Sequence, residues 1–199
     1  PLNIYTGNPN LKVGFNHNFS VFVNQSKVLK QSWMFGNFSY VIQQNAITQF
    51  NTVDALTGKR TYYPVNVNGN RYWFFWTNYQ KNGGNKKLNY GFGMNGNGSR
   101  FVNFVNGQRA VNRSYSVGIR PELSYAKEDH YDFSINASLS YNGSQSSLSS
   151  SVRNNYFALR GGMEVNWYPD KKWAVNSSFE PDLRQKIAAF ATNTNIVTW

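Results

Sequence analysis

Between Tyr131 and Tyr141 the side chains alternate without a break. Tyr131, Phe133, Ile135, Ala137, Leu139 and Tyr141 fall on one parity, and Asp132, Ser134, Asn136, Ser138 and Ser140 on the other. Successive side chains of an extended strand point to opposite faces of its sheet, so this pattern folds as a strand with one apolar and one polar face. The same alternation returns at 156–168, where Phe157, Leu159, Gly161, Met163, Val165 and Trp167 oppose Tyr156, Ala158, Arg160, Gly162, Glu164 and Asn166. It returns at 115–125, where Tyr115, Val117, Ile119, Leu123 and Tyr125 oppose Ser116, Gly118, Arg120, Glu122 and Ser124, and again over Leu88–Asn95. The spacing predicts eight strands and the start of a ninth, at 12–25, 30–43, 70–81, 87–98, 113–126, 131–143, 155–168, 173–184 and from 196 onward.

The predicted connections alternate in length. Short ones fall near 26–29, 82–86, 127–130 and 169–172, the last carrying the turn signal Pro169-Asp170-Lys171-Lys172. Long ones are expected at 44–69, 99–112, 144–154 and 185–195. This reads as an all-β, antiparallel up-and-down meander, with short turns at one rim and long loops at the other.

Composition narrows what the two faces meet. The 199 residues include 34 aromatics, 29 Asn and 19 Ser, while charged residues make up only 15%. A helical bundle would favour Ala, Glu, Lys and Leu, and a disordered chain could not carry so many rings. No run approaches the roughly 20 apolar residues of a membrane-spanning helix. In a soluble sandwich the apolar face is a dry core; in an outer-membrane barrel it meets lipid and the polar face lines the interior. The strands exceed the usual five to six residues of globular sheets and match the roughly 9–11 that cross a bilayer at a tilt. Tyr125, Tyr131, Trp167 and Trp173 flank two short turns on the apolar parity, where an aromatic girdle belongs. These points favour a fragment of a transmembrane outer-membrane β-barrel; the alternative is a soluble all-β adhesin or carbohydrate-binding module.

The run Ile4-Tyr5-Thr6-Gly7-Asn8-Pro9-Asn10-Leu11-Lys12 resembles the Gly-Asn-Pro-x-Leu-Lys element of TonB-dependent receptor barrels, especially those preceded by a carboxypeptidase-like regulatory domain. Val13-Gly14 stand where that element continues with Pro-Glu. Asn45-Ala46-Ile47, Asp54-Ala55-Leu56-Thr57-Gly58 and Asn66-Val67-Asn68-Gly69 are similar to an outer loop of the same family. Pro121 within a strand and Thr194-Asn195-Ile196-Val197-Thr198-Trp199 fit it too. The resemblance implies a partial barrel domain over 1–199, with plug and closing strands elsewhere, located in the cell outer membrane. It implies uptake of a scarce nutrient such as an iron chelate, cobalamin or a glycan. The implied partners are the lipid bilayer, a plug domain, TonB and a surface lipoprotein.

Chemistry-bearing residues are sparse. There is no Cys, and His17 and His130 lie on separate segments, so neither catalysis, a metal nor a cofactor is expected. Gly93, Gly96 and Gly98 form no phosphate loop, since no Gly-Lys-Ser/Thr follows. The formal charge is +11, yet Lys27, Lys30, Lys81, Lys86, Lys87, Lys127, Lys171 and Lys172 sit in or beside turns, which argues against nucleic acid as a partner. Two features remain. Arg120, Glu122, Arg160, Glu164, Glu180, Asp182 and Arg184 share the polar parity, and Arg160 is expected opposite Glu180 or Asp182, as a charged ladder lining the interior. Tyr72, Trp73, Phe75 and Trp76 break the alternation as an aromatic contact patch or a girdle segment.

Overall fold

The computed structural model describes residues 3–83, 87–127, 130–170, 172–187 and 195–199. Nine strands form one antiparallel sheet in the order β12-β11-β10-β9-β8-β7-β6-β3-β2. They are β2 (Phe15–Lys27), β3 (Ser32–Gln44), β6 (Asn70–Asn82), β7 (Leu88–Val105), β8 (Gln108–Lys127), β9 (Tyr131–Ser146), β10 (Ser149–Asp170), β11 (Trp173–Arg184) and β12 (Ile196–Thr198). Each strand lies beside the one that precedes it in the meander, as the alternation predicts. The sheet is open, with β2 and β12 at its edges, and does not close on itself.

Two of the expected long loops are strand. β7 and β8 run on past the predicted 99–112 gap and meet at Asn106-Gly107, whose φ angles of 50° and 74° suit a two-residue hairpin turn. β9 and β10 likewise extend to a tight connection at Ser147-Leu148 where a loop over 144–154 was expected. Beyond the apolar zone the two faces of these strands no longer differ: Phe101, Val102, Phe104 and Val105 are apolar on both parities of β7, and Ser144 and Gln145 are polar on both parities of β9, so the alternation fades while the backbone stays paired. The segment 44–69 is also structured: β4 (Ala46–Val53) and β5 (Arg60–Val67) form a hairpin, with β1 (Asn3–Tyr5) added parallel to β5. Of the loop expected at 185–195, residues 188–194 lie outside the described residues, as do Lys86 and Lys171.

The hairpin docks against the extension of β7. Phe50 packs on Tyr63 and Phe104, with ring centroids 4.9 and 4.8 Å apart. Gly107 N–H donates to the Asn51 carbonyl, and the Val102 N–H donates to Asn70 Oδ1, itself 2% exposed. Val67, Val102 and Ala110 are the buried hydrophobic residues among those described, and all lie in this region. Among the described residues the rest of the sheet has no covered core.

Candidate functional site: a two-faced sheet

Register turns the sequence parities into two continuous faces. One row runs Val23, Gly36, Thr77, Met94, Ile119, Leu139, Leu159, Leu183, each beside the next on adjacent strands. The face that carries this row, here the apolar face, is half open throughout: Met94, Ile119 and Leu139 are 39%, 37% and 41% exposed.

Aromatic rings bound the aliphatic zone at both ends. At the short-turn rim, Tyr125 and Tyr131 stack at 6.0 Å, and Tyr131 lies beside Trp167 in register. Trp173 is 68% exposed at the same rim, so all four candidate girdle residues stand on the apolar face. At the opposite end a second row appears that was not anticipated: Tyr40 beside Trp73, then Tyr115, Tyr141 and Phe157. Tyr115 and Tyr125 are ten residues apart on β8, about 33 Å of strand. At the usual tilt of about 40° that is roughly 25 Å of height, the thickness of the apolar band of outer-membrane barrels.

Glycines make room for the second row. A Cβ on Gly98 would sit 2.5 Å from the Trp73 ring, on Gly96 2.6 Å from Phe75, and on Gly143 2.4 Å from Tyr115. Each ring lies flat over the glycine of the neighbouring strand, so the glycine-rich stretch around Gly96 serves packing. The five aromatics at 72–76 consequently divide: Trp73 and Phe75 stack at 6.1 Å on the apolar face, while Tyr72, Phe74 and Trp76 are on the other. Tyr72, Trp73, Phe75 and Trp76 therefore do not form a single patch. A different cluster arises on the polar face, where Trp76 meets Phe35 edge-on at 5.7 Å, with Phe74 and Phe22 on the same face. Only register could bring Phe22 and Phe35 to Trp76, though all share the parity usually given to Asn and Ser.

The polar face carries Glu122, Asp132, Glu164, Glu180 and Asp182, while Asp170, past the irregularity in β10, lies opposite Trp173 at the short-turn rim. Arg160 stands opposite Asp182, and its Nε donates to Asp182 Oδ2 at 3.0 Å. Among the described residues, Glu164 and Glu122 take amide partners rather than arginines. Glu164 accepts from the amides of Asn176 and Asn166, at 3.1 and 3.4 Å. Glu122 reaches across Gly91 to accept from Gln80 Nε2 at 2.7 Å, and Trp33 Nε1 donates to Gln80 Oε1 at 2.7 Å. A Cβ on Gly91 would fall 2.2 Å from Glu122 Oε1, so the relay from β8 to β3 needs glycine there. Arg120 and Glu122 are separated from Arg160 and Glu164 by the serine- and asparagine-rich face of β9. Glu180 is exposed at the β12 edge beside Thr198, and Arg184 pairs in register with Ala158.

In the β4–β5 turn, Asp54 accepts backbone N–H groups from Leu56 and Thr57, each at 2.9 Å. Those bonds, Thr57 foremost, hold its carboxyl below the ordinary value of 3.8. Among the described residues no cluster of His, Asp and Glu could hold a metal ion, and no helix is long and apolar enough to cross a membrane. Comparisons with family models, curated proteins and solved structures gave no match.

Proposed function

We propose that this chain is part of an outer-membrane β-barrel similar to the TonB-dependent receptors, with its apolar face toward lipid and its polar face toward the barrel interior. The observation that carries the reading is the uncovered apolar belt between two aromatic rows. The eight long strands from β2 to β11, at about 4.8 Å spacing, span about 34 Å, so a band roughly 25 Å high presents on the order of 850 Å² of sheet. Soluble monomers seldom expose a contiguous apolar patch above roughly 300–600 Å². The opposite face, with its amide relays and Arg160–Asp182 pair, suits a wetted interior or contact with a polar plug. The hairpin end would then be the outer rim, where ligand capture for nutrient uptake belongs.

Cysteine labelling of intact cells tests the orientation. A cysteine at Asn68 should react with a membrane-impermeant maleimide and one at Lys172 should not; the reverse pattern overturns it. The aromatic cluster of Phe22, Phe35, Phe74 and Trp76 supports a second reading, a soluble glycan-binding module that stacks sugars on exposed rings. That reading requires a monodisperse β-rich monomer in water without detergent.

A further inference from the structure

We propose that Arg71, Arg100 and Arg113 form a binding site for the phosphate of an anionic lipid headgroup, at the edge of the apolar belt. The three arginines lie on consecutive strands in one cross-strand row: Arg71 is opposite Arg100, and Arg100 opposite Arg113. Their backbones span two strand spacings, about 10 Å. Like charges placed directly opposite destabilise a sheet, and Ile42 and Gln145 flank the row without supplying a carboxylate. The acidic residue that the described strands put on this face, Asp170 opposite Trp173, stands at the far, short-turn rim. Arg71 and Arg113 have no hydrogen-bond or ion-pair partner among the described residues. Arg100 is aimed by one bond, donated from Nη1 to the Gly69 carbonyl. Gly69 has φ 100°, and a Cβ there would collide with that guanidinium, so the turn is shaped around the arginine.

The surroundings select an amphiphile over a free ion. The arginines line an open groove of about 800 Å³ together with Tyr40, Trp73 and Tyr115. Those rings are one same-face step nearer the aliphatic band. A phosphate held by the guanidinium forks would therefore place its acyl chains down the belt. Planar guanidinium groups bind phosphate oxygens through paired, charge-assisted bonds, which a lysine cannot reproduce. The other rim of the same face carries Lys27, Lys81 and Lys127, which gives an internal control of equal charge.

This inference rests on the lipid-facing assignment, and its test separates the two. The folded protein in neutral detergent is titrated with short-chain phosphatidic acid and with phosphatidylcholine, and bound lipid is read by native mass spectrometry. Phosphatidic acid should be retained, and R71Q/R100Q/R113Q should weaken it about tenfold or more. K27Q/K81Q/K127Q should leave it unchanged. Equal loss in the lysine variant would reduce the effect to bulk charge and overturn the site. Displacement of the lipid by millimolar inorganic phosphate would make it a free-anion site and also overturn it. A spin label at Ile119 reports lipid contact independently. Contact there without preference for phosphatidic acid sinks this site alone, whereas retention without contact sinks the membrane assignment and, with it, the bilayer as the source of the lipid.

Discussion

Replacing Ile119 with arginine probes the belt where the account is most exposed. Ile119 lies four residues from Tyr115 and six from Tyr125 on β8, about 13 and 20 Å along the strand and roughly 10 and 15 Å in depth at a 40° tilt. Near the midplane an outward arginine costs about 2–4 kcal/mol, or roughly 30- to 900-fold in the folding equilibrium. In water the same change at a residue 37% exposed would be nearly neutral, within about 0.5 kcal/mol. The assay is reversible urea unfolding in fluid phosphatidylcholine vesicles, followed by tryptophan fluorescence. Two controls sharpen it. Ser116→Arg adds the same charge to the polar face and should stay within about 0.5 kcal/mol. Trp167→Arg, at the rim, should cost only about 0–1 kcal/mol for the charge itself, with any lost ring packing separated by Trp167→Ala. An Ile119→Arg variant as stable as wild type would refute lipid contact. A cost equal at rim and centre would point to a dry protein core, which has no depth gradient.

Gly98→Ala should force the Trp73 ring off β7 and cost about 1–3 kcal/mol through overpacking; unchanged stability with an unchanged tryptophan emission maximum would show that the ring does not lie over Gly98. The Arg160–Asp182 pair is 75% and 49% exposed, so a double-mutant cycle with Arg160→Leu and Asp182→Leu should give a coupling of about 0.2–1 kcal/mol; a coupling above about 2 kcal/mol would mean the pair is buried in the assembled protein. Asp54 is held below 3.8 by its turn bonds, so the turn keeps their contribution above that pH and loses it as pH falls through the lower folded value. The amide shifts of Leu56 and Thr57 should move in that acid range, and the movement should vanish in Asp54→Ala; persistence in the variant would assign it elsewhere.

The strands around Ile119, Leu139 and Leu159 were legible because one face is apolar and the other polar, so period two is written into residue type. Past Tyr115 and Tyr141 that contrast disappears. Arg113, Asn112 and Ser144 are polar on both parities, and the Asn106-Gly107 turn signal, which the loop expected over 99–112 passed over, lies at the hairpin there. Counting back from the 169–172 turn brought Arg160 opposite Glu180 or Asp182, and the register, with its irregularity between Trp167 and Asp170, selects Asp182. The relay from Glu122 to Trp33 was not readable, since it spans four strands and needs Gly91 left bare between them. The arginine row was invisible for the same reason: Arg71, Arg100 and Arg113 are far apart in sequence and meet only through two registers. At 72–76 the alternation itself holds the answer, because Trp73 and Phe75 cannot share a face with Tyr72 and Trp76.

The most direct test of the central claim is a scan of nitroxide labels along 115–125 of β8 in lipid vesicles, with collision rates for oxygen and for a water-soluble nickel chelate. Oxygen, which concentrates in hydrocarbon, should peak at the odd positions, Val117, Ile119 and Leu123, and be highest at Ile119. The nickel chelate should favour the even positions, Ser116, Gly118 and Ser124. Odd positions shielded from both reagents would mean that protein covers this face, and odd positions open to the nickel chelate would mean that it faces water; either result contradicts a lipid-facing belt.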